Sequence, residues 1–175
     1  MAGRVEAIFT CPSANAPMVA LTEAEAVAGV GLAGDRYSTG IGFYSDRPRA
    51  DGGRELTLIA MEMLDEVFAL SGIRLEPLES RRNLLTSGIG LNELIGATFV
   101  IDDVLCEGID YCTPCEHLVE LTGKDVLRPL VNRGGLRARI VSGGTIRVGA
   151  AVREVSQSLA RSRSDATAAS GTSAE

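Results

Sequence analysis

The chain has 175 residues, of which about 45% are hydrophobic and 23% are charged, and its formal net charge is −6. These values are typical of a soluble protein with a single domain, and the acidic balance excludes a chain built mainly to grip nucleic acid, whose binding surface is usually basic. No apolar run reaches the ~18 residues of a membrane-spanning helix, and the first residues are too polar for a signal peptide. The sequence therefore predicts a cytoplasmic protein with no nucleic-acid and no membrane partner.

Short strands dominate the first part of the chain. Alternation of apolar and polar residues predicts a strand at 5–9, and an apolar run predicts a second one at 18–21. The type of element at 24–30 stays open, because its small apolar residues suit either a strand or a helix. Residues 31–54 contain six glycines and four arginines. We interpret them as a long irregular connection, which in a compact domain is usually functional or disordered.

The middle of the chain contains the clearest helix. A strand is predicted at 55–59, and apolar residues then recur at helical spacing over 61–71, with Gly72 placed to end the helix. A short apolar segment follows at 83–86. One helical turn is predicted at 91–95. These patterns predict a helix with one apolar face packed against strands.

The last third is again rich in strands. Strands are predicted at 98–101 and 104–106, joined by a turn at two aspartates. Residues 136–141 and 145–148 have the pattern of a hairpin with a two-residue turn. Two short helices are predicted between these pairs, at 118–121 before Gly123 and at 126–131.

Composition divides the chain into one domain and a tail. Residues 156–175 consist mainly of Ser, Ala, Arg, Thr and Asp without apolar periodicity, so we predict a disordered tail there and a single domain over 1–155. Many short strands with two or three helices predict a mostly β fold. The 20 glycines suit the tight turns of a β-barrel.

The segment with the most reactive side chains is Cys112-Thr113-Pro114-Cys115. If a helix begins at Glu116, Cys115 lies near its N-terminus, where the helix dipole and free N–H groups stabilise a thiolate. The two cysteines are also compatible with a small disulfide, with a metal site that includes His117, or with a C-x-P-C thiol–disulfide oxidoreductase. His117, the only histidine, is a candidate proton donor beside Cys115.

The sequence has two local arginine clusters, which usually form a solvated face, and the second of them predicts phosphate binding. Arg133 precedes Gly134 and a second glycine, and glycine lets backbone amides approach an anion while arginine adds a two-pronged donor. The other cluster is Arg81-Arg82-Asn83. The G-x-G-x-x-G match at 29–34 does not predict a dinucleotide site, because the residues after it cannot continue a helix.

Several segments, taken together and in order, resemble one known family. They are 31–37, 54–59, 83–85, 94–99, 114–115 and 133–149, within about 18–153. This set resembles the MOSC domain, the molybdenum-cofactor sulfurase C-terminal domain, in its small stand-alone form. The resemblance implies a single MOSC-like β-barrel with a few helices. It also implies binding of the molybdenum cofactor, a pterin with a dithiolene and a phosphate.

The resemblance also implies roles for individual residues. Cys115 would be a thiolate ligand of molybdenum in an enzyme, or a sulfur-carrying residue in a non-enzymatic member. Cys112 departs from the family's pattern and is either a disulfide partner of Cys115 or a resolving thiol. Asp35 and His117 are candidate proton donors. The residues expected to hold the pterin and its phosphate are Arg82, Asn83, Arg133, Gly134 and Arg137.

The leading hypothesis is a reductase of N-oxygenated compounds such as hydroxylamines or amidoximes. Its electrons would come from a separate protein, because the sequence has no flavin, haem or iron–sulfur motif. The alternatives are a persulfide carrier that exchanges sulfur with a donor or acceptor protein, and a C-x-P-C thiol–disulfide oxidoreductase. Pyridoxal phosphate is not expected, because the chain has no room for a desulfurase domain and the sole lysine, Lys124, is a poor Schiff-base candidate.

Overall fold

The fold is described by a computed structural model, which covers residues 2–47 and 49–155. The tail predicted at 156–175 lies outside the described residues. The described helices are α1 (Met61–Ser71) and α2 (Glu116–Thr122), with a 3-10 turn at Leu91–Leu94. The described strands are β1 (Gly3–Thr10), β2 (Val19–Leu21), β3 (Glu23–Val27), β4 (Gly31–Leu32), β5 (Leu56–Ala60), β6 (Leu84–Ser87), β7 (Thr98–Ile101), β8 (Val104–Tyr111), β9 (Leu136–Ser142), β10 (Gly144–Arg147) and β11 (Ala151–Glu154).

Seven strands close into a barrel. Their order is β11-β7-β8-β9-β5-β6-β1, and β1 pairs again with β11, while β2 extends the sheet beyond β1. Neighbouring barrel strands are antiparallel except β5 and β6, which are parallel and are connected through α1. This architecture confirms the predicted mostly β fold with a barrel and few helices.

Two apolar clusters meet at β5. Leu56 and Leu58 belong to the cluster inside the barrel, whereas Ile59 belongs to a second cluster under the helices, with Val67 of α1 and Leu118 of α2. All five residues of β5 are buried because both faces of the strand are covered. The strand therefore packs against the barrel interior on one face and against the two helices on the other.

The helix ends agree with the sequence predictions. Gly72 follows α1 with φ 70°, and its N–H donates to the Phe68 carbonyl. Gly123 follows α2 with φ 66° and bonds to the Val119 carbonyl in the same way. Glycine adopts this left-handed conformation without the steric cost of a Cβ, so both stops are local to the sequence. The undecided segment 24–30 contributes strand β3.

Two predicted elements are wrong. Strands β9 and β10 do not form a hairpin, because β5 and β8 already occupy both edges of β9. Instead β10 pairs with β3 in a separate three-stranded sheet. The helix predicted at 126–131 is a series of turns, and Pro129 has no N–H to continue a helical bond pattern.

The long connection is irregular as predicted. It leaves β4 at Leu32 and reaches β5 at Leu56 through turns alone in its described residues. Arg54 fastens it internally, since its Nη1 donates to the carbonyl oxygens of Tyr44 and Arg47. None of the described helices is long and apolar enough to cross a membrane.

Candidate functional site

A cavity of about 300 Å³ lies between the long connection, the segment 112–118 and β9. The connection contributes one wall, and the turn between β8 and α2 contributes another. Thr57 of β5 and Arg137 of β9 also line the cavity. These two residues are paired across the neighbouring antiparallel strands. The barrel therefore provides a rigid base, and two irregular segments provide the side chains above it.

Six arginines line this cavity, although the whole chain has a net charge of −6. Among the described lining residues there is no Asp or Glu. Within the described part of the chain, the recorded ion pairs include only one of the six, Arg36 with Asp35 at 3.4 Å. Positive charge without facing carboxylates favours an anionic ligand. The six are Arg36, Arg47, Arg54, Arg81, Arg82 and Arg137.

Two of these arginines hold the backbone around the cavity. Arg82 is buried, and its guanidinium donates to the carbonyl oxygens of Ser80, Gly134 and Cys112. Arg81 donates to carbonyl oxygens in the turn after β1 and to the sulfur of Cys11 at 3.2 Å. Their hydrogen bonds to the protein show that both side chains shape the cavity.

Arg54 is crowded by the like charges of neighbouring arginines. Burial lowers the pKa of Arg54, and the charges of Arg137 and Arg49 lower it further, against the opposing effects of Tyr37 and a nearby aspartate. Arg137 donates through Nη1 to the Gly53 carbonyl at 3.3 Å. A bound anion would relieve this repulsion, so Arg54 and Arg137 are suited to a phosphate group.

Cys115 is the more accessible thiol of the pair. It precedes α2 in an extended conformation and makes no side-chain cap bond, whereas Cys112 is only 2% exposed. Both are free thiols. The Tyr44 hydroxyl is hydrogen-bonded to Cys115, and this bond, followed by burial, raises the pKa of Tyr44 to about 12. Tyr44 therefore holds its proton more tightly than a free phenol does.

His117 packs against the long connection. Its ring stacks on Phe43 with centroids 3.7 Å apart and planes 11° apart. Its Nδ1 lies 3.8 Å from the Glu120 carboxylate. Its Nε2 is buried and has no hydrogen-bond partner among the described residues. A buried polar atom without a partner is uncommon in a folded protein, and this one belongs to a residue that lines the cavity.

The structure brings together five of the residues singled out from the sequence, and all five line the cavity. They are Arg82, Cys112, Cys115, His117 and Arg137. Their grouping depends on the barrel, because β8, β9, β5 and β6 are successive neighbours in the sheet although they are distant in the sequence.

The other singled-out residues lie outside the described lining of the cavity. Asp35 is 3% exposed and accepts hydrogen bonds from the backbone N–H groups of Cys11 and Tyr37. Arg133 pairs with Glu66 on α1, with Nε and Oε2 2.9 Å apart. These contacts give both side chains partners within the protein.

Asn83 and Gly134 also have structural contacts. Asn83 is buried, and its Oδ1 accepts bonds from the N–H and the hydroxyl of Thr57 at 3.1 and 2.9 Å. A Cβ at Gly134 would overlap the Cys112 carbonyl oxygen. Glycine at this position permits the close approach of the two segments.

Sequence analysis missed the aromatic and arginine side chains of the long connection. Tyr37, Phe43, Tyr44, Arg47 and Arg54 all line the cavity. One signal was present: the chain has three Tyr, four Phe and no Trp, and three of these rings fall within this connection. Aromatic rings and arginines concentrated in a long irregular segment indicate that this segment forms one wall of a binding site.

Comparisons with known proteins agree with this architecture. The family model of the MOSC domain matches residues 46–153. The structure of the YuaD protein from Bacillus subtilis is similar, with a TM-score of 0.73 and 16% identity over 87% of this chain and 94% of that chain. YiiM from Geobacillus stearothermophilus has a TM-score of 0.65 and 13% identity, with coverage of 89% and 76%.

YiiM from Escherichia coli has a TM-score of 0.62 and 18% identity, covering 88% of this chain and 70% of that chain. At these identities the likeness shows the fold alone. A comparison with curated proteins finds no match.

Proposed function

Since this chain belongs to the MOSC domain family, whose members are associated with the molybdenum cofactor, we propose that it binds this cofactor in the arginine-lined cavity and reduces N-oxygenated compounds there. The observation that carries the proposal is one accessible thiol, Cys115, in a cavity lined by six arginines and by no described carboxylate. A soft thiolate suits molybdenum, and guanidinium groups suit a phosphate.

The residues present fit this cofactor. Among the described residues, no group of three or more His, Cys, Asp or Glu is arranged to hold a metal ion by itself. A site with one thiol ligand requires a metal that arrives with ligands of its own, as in a dithiolene. Cys115 would ligate the metal, and Arg54 and Arg137 would hold the phosphate. Arg82 would hold the backbone segments around the cavity in place.

This assignment moves the phosphate away from Arg133 and Gly134. Arg133 is paired with Glu66, and Gly134 serves the close approach to Cys112. Arg137 keeps the role expected from the sequence. Asn83 supports the pterin site through Thr57, which does line the cavity.

The proposed reaction breaks an N–O bond and forms an amine or amidine and water, consuming two electrons and two protons. The bound cofactor supplies the two-electron chemistry of oxygen-atom removal. The electrons come from a separate donor protein. Of the two proton-donor candidates, His117 lines the cavity and Asp35 does not, so His117 is the residue assigned to proton delivery.

The metal content of purified chains tests the binding site. We expect near-stoichiometric molybdenum in the native chain from cells that make the cofactor, loss in Cys115→Ser, and retention in Cys112→Ser. Thermal melts of all three chains confirm folding. A metal-free native chain, or an unchanged content in Cys115→Ser, would overturn the proposed ligand.

A persulfide carrier is the second candidate, and the observation in its favour is that two free thiols line one cavity. It predicts that a desulfurase loads a persulfide onto Cys115, detected by intact mass, and that Cys112→Ser slows its release. The C-x-P-C oxidoreductase predicts insulin reduction that is lost when either cysteine is replaced. Activity in only one of these assays separates the three functions.

A further inference from the structure

One aromatic side chain at the cavity is only partly packed. Phe43 lines the cavity, yet 46% of it is exposed. A large apolar ring left in water costs free energy that burial would recover. Such a ring on the wall of a binding cavity offers a surface for a planar ligand.

The ring of Phe43 is fixed on one side. His117 stacks on one face at 3.7 Å, and Tyr44 meets it edge-on, with ring centroids 4.8 Å apart at 86°. Tyr44 is held in turn by Arg54, whose guanidinium lies 5.8 Å above its ring. A preorganised ring loses little conformational entropy when a ligand stacks on it.

A cationic side chain lines the same cavity as this ring. Arg47 lines the same cavity, and its N–H donates to the Tyr44 carbonyl at 3.0 Å, which places it one turn after Phe43. Among the described residues, the Arg47 guanidinium has no recorded hydrogen bond or ion pair. This differs from Arg54 and Arg137, whose guanidinium groups bond to backbone carbonyls.

We propose that Phe43 is a stacking platform for the substrate and that Arg47 binds a negative group on it. The substrate class is therefore a planar aromatic or heteroaromatic N-oxygenated compound that carries a carboxylate or phosphate. This inference rests on the proposed function and specifies the substrate of the same cavity.

Three amidoximes separate the contributions of ring and charge. Acetamidoxime has neither feature, benzamidoxime has the ring, and 4-carboxybenzamidoxime has both. Reduction to the amidine and water is followed with the cofactor-loaded chain, with reduced methyl viologen as the electron source. Binding of 4-carboxybenzamidine, which has no N–O bond, is measured separately by calorimetry.

The variants are Phe43→Leu and Arg47→Gln, each with a matched control. Phe68→Leu is the control for the ring, because Phe68 is 41% exposed on α1 and lies outside the cavity lining. Arg153→Gln is the control for the charge, because Arg153 is exposed on β11.

We expect Phe43→Leu to raise KM for both aromatic amidoximes about fivefold more than it raises KM for acetamidoxime, as expected for loss of a stacking contact. Arg47→Gln should raise KM about fivefold for 4-carboxybenzamidoxime alone. The same losses should appear in the affinity for 4-carboxybenzamidine. The control variants should behave like the native chain.

The two proposals fail in different ways. Equal KM values for the three amidoximes, insensitive to both variants, would overturn the platform and leave the reductase standing. If none of the amidoximes is reduced but 4-carboxybenzamidine still binds with dependence on Phe43 and Arg47, the platform stands and the reductase is wrong. The platform is also overturned if both variants bind 4-carboxybenzamidine with the same affinity as the native chain.

Discussion

The Nε atom of Arg82 lies 2.8 Å from the carbonyl oxygen of Gly134. The same guanidinium donates to the carbonyl oxygens of Ser80 and Cys112 at 3.0 and 3.3 Å. One buried side chain thus ties together the entry to β6, the turn after β8 and the approach to β9. The position of Cys115 relative to the barrel depends on this connection.

Arg82→Met should lower the free energy of unfolding by about 2–4 kcal/mol, because three carbonyl oxygens lose a buried donor. Arg82→Lys should recover only part of the loss, since an ammonium group lacks the planar fork of guanidinium. Urea denaturation of the cofactor-free chain measures both effects. Arg153→Met is the surface control, and a loss no larger than this control would contradict the role given to Arg82.

Asn83→Ala should destabilise the chain by about 1–3 kcal/mol whether or not cofactor is present, because its amide bonds to Thr57 and to the Phe9 carbonyl are internal. Thermal or urea unfolding of cofactor-free and cofactor-loaded chains provides the comparison. A loss confined to the loaded chain would instead support the direct pterin contact predicted from the sequence.

Phosphate or pyrophosphate should raise the melting temperature of the cofactor-free chain, because either anion relieves repulsion between Arg54 and Arg137. Arg137→Gln should remove most of this effect. Added chloride at equal ionic strength should stabilise much less, since it only screens the charges. A phosphate effect that persists in Arg137→Gln but vanishes in Arg133→Gln would return the phosphate site to Arg133.

The hydrogen bonds of Asp51 within the long connection should contribute less to stability at acid pH. A hydrogen bond from Arg49, followed by one from the Gly53 N–H, lowers the Asp51 pKa from 3.8 to about 2. A carboxyl with a lowered folded-state pKa contributes stability above its unfolded value, and the contribution disappears as the pH falls from 3.8 toward 2. Because 42% of the side chain is exposed, we expect less than about 1 kcal/mol.

The comparison of Asp51→Asn with the native chain measures this contribution. Urea midpoints should differ at neutral pH and converge in strong acid, where the native carboxyl is protonated. A difference that stays constant over this range would show that the contribution comes from packing and not from the charge of Asp51.

The end of α1 and most of the longer strands were predictable from local patterns, whereas β4 and β11 were not predicted. α1 and its stop at Gly72 follow from apolar spacing and from the left-handed conformation that glycine adopts freely. The pairing of β10 was not predictable. Its neighbour in sequence, β9, has both edges occupied by strands that are distant in the chain.

The candidate site was likewise predictable only in part. Cys115 was identifiable from the sequence, because two cysteines flanking Thr-Pro before a helical pattern indicate thiol chemistry. The choice among arginines was decided by folding: Arg133 and Arg137 are close in sequence, but one pairs with Glu66 and the other lines the cavity. Arg133 lies in the turns before β9 and Arg137 lies on β9 itself, and only the closed barrel determines that this strand borders the site.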